Sequence, residues 1–226
     1  MNRTHPLWIP YVVPFAVYLF LTCLEVCFPN QYMSLYALKI AIVAVLAIVM
    51  RPPATRSQTR LRTSTVLVSV ILGVGLNAIW IALDRYSWHP QWLTDILVSR
   101  PSIDPFGDIA NPLDRTLFLV SRVSGLVLLI PYIEENFYRD FLLRWIYNPT
   151  RYAEVPVGTI TPFAVACNIV IFASTHPAWL PALLFGLTMC ILVWKTKDSR
   201  ACIVAHAATN LALCVYVIHG GNWHAW

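Results

Sequence analysis

Three short stretches place side chains capable of chemistry at helical spacing. In YIEENFYRDFLLRW (132–145), Glu134 and Glu135 are adjacent and Arg139 follows Glu135 by four residues. IFASTHPAW sets Phe172 and His176 four apart, and IVAHAATNLAL does the same for His206 and Asn210. Residues four apart share a helix face, so each stretch presents a matched pair. Together they hold a carboxylate, two imidazoles and a carboxamide. Such a set suits hydrolysis: Glu activates water, His orients it and shuttles protons, and Asn or His stabilises an oxyanion.

The surroundings make these residues costly. A charged group at the centre of a membrane helix costs roughly 2.5–3.5 kcal/mol on insertion scales. Adjacent carboxylates repel, so one of the two needs a cationic partner. Arg139 lies on the face of Glu135, whereas Glu134 is turned away by about 100°. The spacing therefore predicts a supporting Glu135–Arg139 pair and a working Glu134. Each stretch has an inert alternative when read singly: acids at the solvated end of a span, or a hydrogen-bonded His filling an apolar helix. Three such stretches on three segments favour the chemical reading. Glu25, Asn77 and Arg122 read as interhelical glue or boundary residues. His219 and His224 fall in the terminal tail, and His5 and His89 stand beside prolines in loops.

The segments carrying these residues are membrane helices. The chain is 58% hydrophobic and 12% charged, against roughly 25% charged for a soluble domain. Apolar runs recur at 9–28, 34–50, 65–83, 116–147, 161–175, 178–194 and 201–218. With roughly 20 residues needed to cross, they predict an all-α, polytopic bundle of about seven spans (six to eight), two of them short, around a buried polar cavity. One membrane domain, 1–226, accounts for the whole chain. The first run is too long for a signal-peptide core, contains Glu25 and lacks a small-residue cleavage site, so it reads as a retained anchor. The six Cys all lie in apolar runs and form no C-x-x-C pair; they read as buried hydrophobes. The net charge of +5 reads as topology, with no nucleic-acid partner.

The loop RPPATRSQTRLR (51–62) carries four Arg and no acid, which places it and the N-terminus in the cytoplasm. The stretch from Asp84 to Arg115 is then outside, with QWLTDILVSR as a short interfacial helix. Lys195, Lys197 and Arg200 mark another inner loop, and Trp223 and Trp226 sit at an interface. Taking Arg122 and Arg144 as boundary residues puts Glu134 near the midplane, and Pro131 opens the helix beside it and frees a backbone carbonyl.

The motifs E134-E-N-F-Y-R139, F172-A-S-T-H176 and H206-A-A-T-N210 resemble, in order, the E-E-x-x-x-R, F-x-x-x-H and H-x-x-x-N motifs of the CPBP intramembrane proteases. This is the Abi family, which includes the type II CAAX prenyl endopeptidases. NPTRYAEVPVGTITPF, LVWKTKDSRACIVAHAATNL and the GNWHAW tail are similar to a bacterial CAAX prenyl protease-related subgroup often encoded beside exosortase systems. The resemblance implies a protease core over about 116–218 in a multi-pass protein of the inner (plasma) membrane. It implies a membrane-anchored protein or peptide as substrate and a link to an exosortase-type sorting system. In roles, Glu134 would activate water with help from His176, and His206 and Asn210 would polarise the scissile carbonyl and hold the oxyanion. Glu135, Arg139 and Phe172 would support them. No metal is obligatory on this reading, although Glu134, His176 and His206 could ligate zinc. Two departures matter. Asp140 stands where the family commonly has Gly, and could compete for Arg139. His176 precedes Pro177 between two short runs, which requires it to lie at membrane depth along the cavity. A rival from another class keeps these residues as the ligand or ion path of a non-catalytic membrane binding protein or transporter.

Overall fold

Backbone polar groups in hydrocarbon must be satisfied within the segment, so long apolar runs propagate as helix. The structure, a computed structural model, describes residues 6–53, 60–84, 86 and 102–225. The interfacial helix expected over QWLTDILVSR falls outside these residues, as do His5, Arg56, His89 and Trp226. The helices are α1 (Ile9–Cys27), α2 (Tyr32–Val49), α3 (Thr63–Asp84), α4 (Pro112–Tyr147), α5 (Pro162–Ser174), α6 (Trp179–Thr196) and α7 (Ser199–Gly220). Among the described residues there is no strand.

Local chemistry sets the ends. The Asn111 side chain accepts from Leu113 N–H before Pro112, Thr161 from Ala164 N–H before Pro162, and Asp198 from Arg200 N–H. Each satisfies an N–H that the first turn leaves over. Six helices are long and apolar enough to span a bilayer; α5, with 13 residues, covers only about 20 Å and is not. The chain is a multi-pass membrane protein. Large apolar side chains such as Val49, Ile71, Leu128, Phe163 and Val215 point outward, where lipid rather than protein covers them.

Helix α4 lies at the centre, packed against α1, α2, α5, α6 and α7, while α3 lies along α7 and touches α6. The α3–α7 contact depends on Gly73, where a Cβ would stand 2.2 Å from the Ala205 carbonyl oxygen and 2.9 Å from Ala208 Cβ. Thr209 Oγ1 donates to the Gly73 oxygen at 2.9 Å across the same contact. Gly73→Val should therefore force α3 off α7 and destabilise the fold by roughly 1–3 kcal/mol, read as a lower thermal midpoint in detergent. Gly75, which has open space around it, should tolerate Ala.

One expectation is corrected here, and two charges prove to be buried. Arg122 and Arg144, read as boundary residues, are covered by protein, at 3% and 4% exposed. Arg122 donates to Tyr32 Oη at 2.5 Å and lies 4.7 Å over the Tyr36 ring. Arg144 pairs with the Asp140 carboxylate and reaches towards the carbonyls of Tyr152 and Val155. Asp140 thus does not compete for Arg139; the arginine one turn further on takes it. Glu25 joins α1 to α2 through Lys39 at 2.7 Å, both side chains buried.

Candidate active site

The middle of α4 is not plain α-helix. Gly125–Leu129 and Asn136–Leu142 are in π register, with Ile130–Glu135 between them as one short α segment. Pro131 explains part of this, because it has no N–H to continue the ladder. Near Gly125 the helix also runs close to α2: a Cβ there would meet Ile40 Cδ1 at 2.6 Å. Single π turns inside α-helices recur at functional sites. Here they flank Glu134 and Glu135.

Glu135 is held from its own helix and from α7, with α5 bracing its partner Arg139. Its Oε2 lies 3.2 Å from Arg139 Nε, with both side chains fully buried, at the i,i+4 spacing read from the sequence. Its Oε1 lies 2.9 Å from Nδ1 of His206 on α7. Arg139 in turn donates to the Asn168 side-chain oxygen on α5, and Asn168 Nδ2 donates to the Tyr138 carbonyl at 2.8 Å. The guanidinium also sits 5.1 Å over the Phe172 ring. A buried charge pair needs further hydrogen bonds to offset its desolvation; Asn168 supplies one to Arg139 and His206 one to Glu135.

Glu134 is placed differently. It is 5% exposed, yet its Oε2 is buried without a hydrogen-bond partner among the described residues. His206, Glu135 and Arg139 lie within electrostatic range of it, and His176 within range of Glu135. His176 is half-buried on the α5–α6 connection, its Nδ1 2.8 Å from the Phe172 carbonyl oxygen and 3.2 Å from Thr175 Oγ1. Thr175 Oγ1 is itself 3.2 Å from Tyr138 Oη, which ties the connection to α4 one turn after Glu134. A ladder of rings links the two imidazoles. His176 stacks on Phe172 at 4.3 Å, Phe172 on Phe185 at 5.5 Å, and Phe185 meets His206 edge-on at 4.8 Å. Trp80 of α3 closes the side, 5.8 Å from His176. Because α5 is short, His176 follows its end within the bundle. Asn210 sits one turn beyond His206, with Nδ2 2.8 Å from the Leu126 carbonyl oxygen.

Sequence reasoning missed Asn168, Tyr138, Thr175, Phe185 and Trp80. Asn168 had a signal, as the one amide in FAVACNIVIF, four residues before Phe172. The rings had none, because aromatic residues are common throughout the chain. Asn168→Leu should keep the volume and strand two polar groups, lowering stability by roughly 1–3 kcal/mol; thermal unfolding in detergent reads this directly.

Among the described residues no three His, Cys, Asp or Glu side chains gather as a metal-binding group. Nδ1 of His206 faces Glu135 and Nδ1 of His176 faces the Phe172 carbonyl, bonds that orient each ring whichever group its Nε2 meets.

Residues 116–212 match the protein family described as Type II CAAX prenyl endopeptidase Rce1-like. That segment contains Glu134, Glu135, Arg139, Phe172, His176, His206 and Asn210, together with Asn168. No curated protein and no solved structure matches the chain. The match supports an endopeptidase of the CAAX-protease type set within the membrane.

Proposed function

We propose that this chain is an intramembrane endopeptidase in which Glu134 activates the attacking water. One observation carries the reading: of two adjacent buried carboxylates, Glu135 is bound by Arg139 and His206, and Glu134 keeps an oxygen with no partner. A carboxylate so placed can take a proton from water while the oxygen attacks a peptide carbonyl. The tetrahedral intermediate then collapses, the carbon–nitrogen bond breaks, and the proton passes to the leaving amine. The products are a new carboxylate and a new amine. His176, beside the ring ladder, assists in moving that proton. His206, its Nδ1 fixed by Glu135, turns Nε2 to the scissile carbonyl, much as a buried carboxylate orients an imidazole in hydrolytic triads. Asn210 stands one turn further along the same helix.

The substrate class is a membrane-anchored protein or peptide cleaved within or beside the bilayer. The plasma membrane, a cytoplasmic N-terminus and a tie to an exosortase-type sorting system belong to the same proposal. A comparison of membrane proteomes from wild type and a Glu134→Gln strain tests it. A membrane protein that accumulates in a longer, unprocessed form only in the variant supports the reading. Identical proteomes, with the variant present at normal levels, would refute it. Loss of transport without any unprocessed protein would replace it with the transporter.

A further inference from the structure

Helix α4 changes register at a point where its own backbone cannot complete the ladder. In α register each N–H serves the carbonyl four residues back, and in π register the one five back. Ile130 N–H reaches the Gly125 carbonyl, five back. The next N–H in that register would serve Leu126, but residue 131 is proline and has none. A carbonyl abandoned inside a membrane bundle is costly. Asn210 Nδ2 of α7 supplies the missing donor, 2.8 Å from the Leu126 oxygen. One turn earlier on α7, His206 bonds Glu135 at 2.9 Å. These two bonds from one helix bracket Pro131 and Glu134. Next to Asn210 on α7, Thr209 is fastened to Gly73 of α3 at 2.9 Å.

We infer that Asn210 is a positioning residue: its carboxamide replaces the N–H that Pro131 lacks, holds α4 in π register, and so fixes the rotation at which Glu134 faces the site. Relaxing the bulge to α register would turn the following residues by about 100°, the angle that separates Glu134 from Glu135. The catalytic half of this inference rests on the hydrolytic reading of Glu134; the backbone half does not.

The test is a cycle of Asn210→Ala, Pro131→Ala and the double variant in the full-length protein, because alanine at 131 restores an N–H. Thermal midpoints in detergent are measured for each. Processing is read as the ratio of unprocessed to processed form of the membrane protein that accumulates with Glu134→Gln, well below all midpoints and at equal amounts of folded protein. Asn210→Ala alone should lower the midpoint by roughly 2–4 °C and processing by up to roughly 10²-fold. In the Pro131→Ala background the same change should leave the midpoint nearly unmoved and cost markedly less processing than in the wild-type background. Equal losses in both backgrounds would overturn the inference and leave Asn210 acting on the substrate itself. If Glu134→Gln leaves nothing unprocessed, the hydrolytic reading fails and the midpoint cycle alone decides.

Discussion

Glu134→Gln should abolish cleavage, by at least about 10²-fold, in a protein that folds and accumulates normally. The amide keeps the shape of the carboxylate but cannot accept the proton of the attacking water. The stability half of the prediction follows from the surroundings. Glu134 Oε2 has no hydrogen-bond partner among the described residues, so the substitution breaks no bond at that oxygen and removes a charge from a buried position. Relief of that burial should leave the thermal midpoint unchanged or raised. Glu135→Gln is the control, because it weakens the contacts to Arg139 and His206 together and should lower stability as well as activity. If Glu134→Gln lost activity only in proportion to lost protein, the carboxylate would be structural. If it kept full cleavage, the mechanism proposed above would be wrong.

The second large effect is the reverse. Arg139→Met should destabilise the protein by about 3–5 kcal/mol, because it leaves Glu135 as a buried charge without its cation. Arg139 is fully buried, pairs with Glu135, donates to Asn168 and covers Phe172, so its loss reaches α4 and α5 at once. The expected readouts are a midpoint lower by on the order of 10 °C and reduced accumulation in membranes. Replacing both partners, Arg139→Met with Glu135→Leu, should recover much of the loss, since apolar groups of similar volume often replace a buried pair at little cost. Activity should not return with stability, because His206 would lose the carboxylate that orients it. A double variant as unstable as the single one would show that Arg139 matters through Asn168 and Phe172 rather than through charge.

Much of the fold was legible in the chain because lipid imposes a simple rule. Every segment in hydrocarbon must close its own hydrogen bonds, so a long apolar run has one regular solution. The runs at 65–83 and 201–218 lie within α3 and α7, and 178–194 lengthens into α6, long enough to span. What the chain did not disclose was the partners of its buried charges. Arg122 and Arg144 read as boundary residues because a charge in an apolar helix usually seeks water. Tyr32 and Tyr36 on α2, and Asp140 with the carbonyls of Tyr152 and Val155, supply substitutes.

By itself, the sequence settled whatever depends on neighbours within a turn: which runs are helices, and that Arg139 stands on the face of Glu135 rather than Glu134. Tertiary structure alone decided the partners across helices. His206 meets a carboxylate 71 positions away, Asn210 meets a carbonyl 84 positions away, and Asn168 reaches Arg139 from a helix too short to span. Helical periodicity says which face a residue occupies. Which neighbour that face meets is set by how the seven described helices stack, and by two π turns whose register Pro131 accounts for only in part.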